Sequence, residues 1–266
     1  MWSRHLARID NPGANKRRTK SVIALWLTFI AGFVDIAGAI TIYDIFSAHM
    51  TGTTVRLGEH LVQRDWNALG ITGLVLAAFV VGSLVGRILV EAAARAHFRS
   101  IAAITLGCET ALLLCGMVFV PPRPEIPFAA VALPLLMLAA AMGFQTATLT
   151  RIGPLTVHTT FVTGMINKFS QLLSHWMFRT YDLVHVHLDT QREHELREAR
   201  RHTAHQARFI FSIWLLYVIG AICGTYAALH WHGRSFLVPA CMLLVAISTD
   251  LIQPLSIEEE REQSER

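Results

Sequence analysis

The sequence predicts an all-α fold: a polytopic membrane helical bundle of six transmembrane helices, built as two inverted three-helix repeats. The first observation behind this is composition. Of 266 residues 53% are apolar and 16% charged, and the apolar ones gather into six runs at roughly 21–46, 67–90, 101–120, 127–150, 209–230 and 235–253. At about 1.5 Å per residue such runs reach across the roughly 30 Å hydrocarbon core of a bilayer. A soluble domain of this size does not need so many. The second observation is a repeat. The stretch Phe29 to Leu61, FIAGFVDIAGAITIYDIFSAHMTGTTVRLGEHL, returns as Ala141 to Leu173, AMGFQTATLTRIGPLTVHTTFVTGMINKFSQLL. Gly32-Phe33 matches Gly143-Phe144 at an offset of 111, and Thr51-Gly52 with Arg56 matches Thr163-Gly164 with Lys168 at an offset of 112. The third is parity: three runs per half is an odd number, so the second half enters the membrane from the side opposite to the first.

Taken in order, residues 1–20 are a basic cytoplasmic arm with a turn signal at Asn11-Pro12-Gly13. Its run Lys16-Arg17-Arg18-Thr19-Lys20 sits beside the first span, where basic residues set orientation. With six crossings and the amino terminus inside, the inner segments hold 19 Lys or Arg and the outer ones 4. Both termini therefore face the cytoplasm, and the net charge of +4 reads as topology rather than nucleic-acid binding. The first span is too long for a signal-peptide core and is retained.

Residues 21–120 form the first repeat. Asp35 falls near the middle of its first span, at an insertion cost of about 2.5–3.5 kcal/mol. The segment 47–63 is too polar and too short to cross in contact with lipid. It is either a re-entrant half-helix shielded by protein or an amphipathic helix on the surface. The second span carries Gly82-x-x-x-Gly86 and the fifth Gly220-x-x-x-Gly224, small faces that let helix backbones approach. The third span carries a second costly carboxyl, Glu109.

Residues 121–127, PPRPEIP, are a short hinge. The second repeat, 128–253, contains a polar cytoplasmic insert at 177–208 that runs as a solvated helix into the fifth span. A charged tail, 254–266, closes the chain. The cysteines Cys108, Cys115, Cys223 and Cys241 all lie within apolar spans without a CxxC pair, which reads as buried, unreactive thiols. His185-x-His187-x-Asp189 suggests a metal, but its surroundings look helical, where alternate residues point apart. No metal site, cofactor or catalytic residue is therefore assigned, and no nucleotide-binding or hydrolase motif occurs.

Inverted repeats with interrupted helices hold solutes in secondary transporters. By that logic the substrate-binding set is Asp35, His49, Thr51, Gly52, Thr54, Arg56 and Glu109 from the first half. The second half supplies Gln145, near the aligned place of Asp35, with His158, Thr160, Thr163, Gly164 and Lys168. Hydroxyls, imidazoles and helix amino termini would face a small solute, and Asp35 or Glu109 could couple its movement to protons or another ion. The competing reading is a scaffold or sensor in which Thr and Gly only pack helices; a third is an intramembrane enzyme on a lipid.

The motifs GFVDIAG from Gly32, HMTGTTV from His49, MGFQTATL from Met142 and TVHTTFVTG from Thr156 resemble the YoaK-type bacterial membrane proteins, a family of unknown function. The resemblance covers nearly the whole chain. It implies six spans and a bacterial inner-membrane location, and it implies no reaction or substrate. Thr53 stands where the family's M-T-G-N-T pattern has Asn, and the histidine-bearing insert is longer than the family pattern. The expected partners are the lipid bilayer and a small solute, with a homo-oligomer left open.

Overall fold

A computed structural model describes residues 12–42, 46–120, 128–148, 151–152, 155–156, 159–186, 189–252 and 254. The hinge 121–127, most of the tail, His158 and His187 lie outside the described residues. The described chain is all-helical apart from a two-residue antiparallel pair, Arg151–Ile152 with Leu155–Thr156. Helices α1 (Pro12–Thr41), α2 (Met50–Gln63), α3 (Trp66–Arg95) and α4 (Ile101–Val118) make up the first half. The second half comprises α5 (Phe128–Thr148), α6 (Val162–His185), α7 (Thr190–Trp231) and α8 (Leu237–Ile252).

Local chemistry sets several of these boundaries. Asp65 caps α3 by accepting from the Ala68 amide at 3.0 Å, and Asp189 caps α7 by accepting from Arg192 at 2.7 Å, each satisfying a donor that a helix start leaves open. The α2–α3 corner turns on Arg64 in the left-handed region, φ 56°. The expected turn at Pro12 is instead the first residue of α1. Proline fits there because its missing N–H would have no intrahelical partner, so the arm is helical from that point.

Among the described residues, five segments are long and apolar enough to cross a membrane: Arg18–Thr41, Trp66–Arg95, Ile101–Val118, Val131–Thr148 and Thr190–Ile252. The last passes through a 3₁₀ turn, His232–Phe236, so the expected run at 235–253 becomes the 16-residue α8. Helix α7 has 42 residues, about 63 Å at 1.5 Å per residue, roughly twice the hydrocarbon thickness. Its polar first half therefore extends out of any bilayer that its second half spans; the expected insert at 177–208 is divided, its first residues closing α6 at His185 and the rest opening α7 at Thr190. There it runs beside α6, where Arg179 donates to the Ala199 carbonyl at 2.9 Å and to the Thr203 hydroxyl.

The halves pack crosswise, α1 along α7 and α5 along α3, while α4 lies against α5 and α8. Glycines make these crossings close. A methyl group on Gly220 would stand 2.9 Å from the Phe29 carbonyl carbon, and one on Gly82 would stand 2.9 Å from that of Ala140. The contacts of Gly224 with Phe33 and of Gly86 with Phe144 continue the same two seams. Buried Leu27, Ile30, Leu113, Leu135, Leu138, Ile213, Phe236 and Leu243 fill the space between helices. The thiols differ from expectation. Cys115, Cys223 and Cys241 are exposed on the outside of the bundle and all four cysteines are free, because apolar spans place residues toward lipid as readily as toward the interior.

Candidate functional site

Asp35 fixes one wall of the site. It is 3% exposed, and its two oxygens are held from two directions. Oδ1 accepts from the Ala48 amide at 2.7 Å and from the Ser47 hydroxyl at 3.4 Å, and Oδ2 accepts from the Tyr217 phenol of α7 at 2.9 Å. Asp35 lies six residues before the end of α1, about 9 Å along the axis. For Ala48 to reach it, the chain beyond α1 must fold back alongside the helix. The carboxyl group is what holds that elbow in, since buried backbone donors are rarely left unpaired.

The second elbow is tied by the same logic with gentler chemistry. Thr146 of α5 stands 111 positions after Asp35, and Thr160 stands 112 after Ala48. Their hydroxyls lie 2.9 Å apart. Just beyond each elbow a helix begins, α2 at Met50 and α6 at Val162. Neither start has a side-chain cap. Instead a ring folds over the glycine three residues on, His49 over Gly52 and Phe161 over Gly164.

Between the elbows is a cavity of about 470 Å³, a size that suits a small ligand. The first elbow gives it Ala48, His49, Met50 and Thr51; the second gives it Thr160, Phe161, Val162 and Thr163. Thr146, Phe79 and Tyr217 complete the wall. Its polar groups are hydroxyls, one imidazole and the phenol, and the Asp35 carboxyl sits immediately behind Ala48 and Tyr217.

Of the residues expected from sequence, His49, Thr51, Thr160 and Thr163 line this cavity and Asp35 supports it. Gly52 and Gly164 sit under the rings at the two helix starts. Thr54 turns back to the Met50 carbonyl at 2.8 Å, while Arg56 and Lys168 are half-buried farther along α2 and α6, away from the cavity wall. His158 lies outside the described residues. Gln145 is fully buried and points elsewhere, donating to the Leu27 carbonyl at 2.6 Å. Glu109 is also fully buried, in α4, and does not line the cavity. Thr146, Phe79 and Tyr217 were not anticipated. For Thr146 the signal existed, since the offset of 111 points to it rather than to its neighbour Gln145; Phe79 and Tyr217 come from helices that carry no elbow.

A family profile described as protein of unknown function, DUF1275, matches residues 23–249. The chain belongs to the DUF1275 family. That match takes in both elbows, both glycine seams and Glu109. A curated relative, the UPF0700 transmembrane protein YoaK of Bacillus subtilis (strain 168), is 24% identical over 152 residues, which is 57% of this chain and 66% of that protein. The chain thus spans just under two thirds of the relative it matches. No solved structure matches it. With its long apolar segments, this DUF1275 protein is a multi-pass integral membrane protein in contact with the lipid bilayer.

Proposed function

We propose that the chain is a secondary transporter for a small polar solute, which binds in the cavity between the two elbows. One observation carries this reading: a single cavity takes four residues from each of two elbows that lie 112 positions apart in the sequence. Packing alone does not require that space to stay open, since interiors close-pack wherever side chains allow.

The symmetry of the contacts supports inverted halves. The seam of α1 with α7 uses Phe29, Gly32 and Phe33 against Tyr217, Gly220 and Gly224; that of α5 with α3 uses Ala140, Gly143 and Phe144 against Phe79, Gly82 and Gly86. Every member recurs at an offset of 111 or 138. In this reading the helices cross the bilayer six times, α8 being the sixth, and the cavity lies near the midplane, reached alternately from each side. The membrane is a bacterial inner membrane with both termini cytoplasmic. Asp35, behind the cavity wall, couples solute occupancy to the packing of α1 on α7.

A thermal-shift screen of small polar metabolites against the purified full chain tests this. A ligand at about 100 times its Kd should stabilise the fold by about 2.7 kcal/mol, and the shift should vanish in Thr51→Leu and in Thr163→Leu. The same solute should accumulate in vesicles reconstituted with the wild type. Stabilising solutes that remain unaffected by both substitutions would place the site elsewhere, and a bound solute that never enters vesicles would make the protein a sensor.

A further inference from the structure

Glu109 poses a problem that the elbow cavity does not solve. It is 0% exposed, and neither carboxyl oxygen has a hydrogen-bond partner among the described residues. A carboxylate can only accept, whereas a carboxylic acid carries a donor of its own. Buried polar atoms without partners are uncommon enough that each calls for a cause. One other buried oxygen on the neighbouring helix is in the same condition: Oε1 of Gln145, whose amide nitrogen is already committed to the Leu27 carbonyl.

The register of α4 against α5 brings these groups together. Thr148 donates to the Thr105 hydroxyl at 2.8 Å, and a methyl on Gly116 would stand 3.0 Å from Leu138. The helices therefore run antiparallel, with partner numbers that add to about the same total at both points. Glu109 is one turn beyond Thr105, and Gln145 is one turn before Thr148, at the same level. At 100° per residue the two side chains also rotate toward the same side of the interface, whereas Phe144 rotates away. Three acceptor oxygens without partners among the described residues thus lie at one level of this interface.

We infer that Glu109 is a proton-binding site: the carboxyl carries a proton at neutral pH and donates it to Gln145 Oε1. The proton completes a chain from α4 through Gln145 to the Leu27 carbonyl of α1. Among the described residues, the elements around it carry few ionisable groups. Helix α5 has no ionisable residue along its whole length, and α4 itself adds only Cys108 and Cys115. On α8 the groups are Cys241 and Asp250, and the latter accepts from the Ala103 amide at 2.8 Å, about 9 Å back along α4. The charges on α3 are Arg87, Glu91 and Arg95, with Glu91 near both arginines. The 3₁₀ turn holds His232 and Arg234, and α1 within its apolar part holds only Asp35, tied to Tyr217 and Ala48. The proton stands whether or not the elbow cavity carries a solute, because its test contains none.

Infrared spectroscopy of the full chain in nanodiscs gives that test. Uniform ¹³C-glutamate labelling should shift a protonated-carboxyl C=O band at neutral pH, since Glu109 is the fully buried glutamate among the described residues. Glu109→Gln should abolish the labelled band, and Gln145→Leu should shift it as its acceptor disappears. Should Glu109→Gln fold poorly, labelled wild type alone decides the matter. An absent labelled band, or one that sodium or potassium removes at constant pH, would overturn the inference in favour of an ionised carboxylate, in the second case one that binds a metal cation.

Discussion

At the scale of the residue, Asp35 joins three pieces of chain: α1 that carries it, the elbow that donates through Ser47 and Ala48, and α7 through Tyr217. Hydrogen bonds to a charged or buried carboxyl contribute about 1.5–3 kcal/mol each when the partner is removed. Tyr217→Phe should therefore lower stability by an amount in that range. Its effect should shrink by about 0.5–3 kcal/mol in an Asp35→Asn background, because contacting groups are not additive. Thermal unfolding of the four proteins in detergent measures this, and equal effects of Tyr217→Phe in both backgrounds would mean the phenol does not hold the carboxyl. The cost of a charge in an apolar run made Asp35 and Glu109 legible in the sequence. Tyr217 was not, since a phenol in a span is ordinary until a fold places it 182 positions away beside a carboxyl. Gln145 lies only near the aligned place of Asp35; the offset of 111 falls on Thr146, one position later.

At the scale of the element, the small-residue faces were legible from spacing, but their partners were not. Gly-x-x-x-Gly says that a backbone can approach and not which one. The crosswise pairing arises from surfaces distributed over whole helices. Its energetics are testable by comparing glycines that the fold uses with one that it does not. Gly82→Ala and Gly220→Ala each push a methyl group to within 2.9 Å of a backbone carbonyl carbon on the neighbouring helix, while a methyl on Gly107 meets nothing within 4 Å. Backbone cannot yield as a flexible side chain can, so each of the first two should cost about 1–3 kcal/mol. Gly107→Ala should be neutral or stabilise by up to about 1 kcal/mol through helix propensity. Unfolding in mixed micelles separates these outcomes. If Gly82→Ala and Gly220→Ala both matched Gly107→Ala, the crossings would be looser than they are drawn. Comparable losses at Gly82 and Gly220 would also be the energetic sign of equivalent seams.

At the scale of the whole molecule, connectivity sorts the loops onto two ends. Arg18 and Thr19 share a groove with Thr249 and Ile252, and Ser100 donates to the Asp250 carbonyl, so the starts of α1 and α4 and the end of α8 lie together. Val120 meets Gly233 at the other end, where α4 finishes and α7 turns into α8. It follows that Arg64, between α2 and α3, is at the second end, and that the polar first half of α7, with Arg197, is at the first. The excess of lysine and arginine belongs to the first end, the end that the proposed topology puts in the cytoplasm. With Cys108, Cys115, Cys223 and Cys241 replaced by alanine, Arg64→Cys should react with a membrane-impermeant maleimide on intact spheroplasts. Arg197→Cys should react only after the membrane is opened. Labelling of both from one side would mean that the bundle does not cross the bilayer along its long axis, and the proposed approach of the two elbows from opposite faces would fall with it. Opposite-sided labelling, by contrast, agrees with a cavity whose polar wall is drawn from both elbows, His49 and Thr51 from the first and Thr160 and Thr163 from the second.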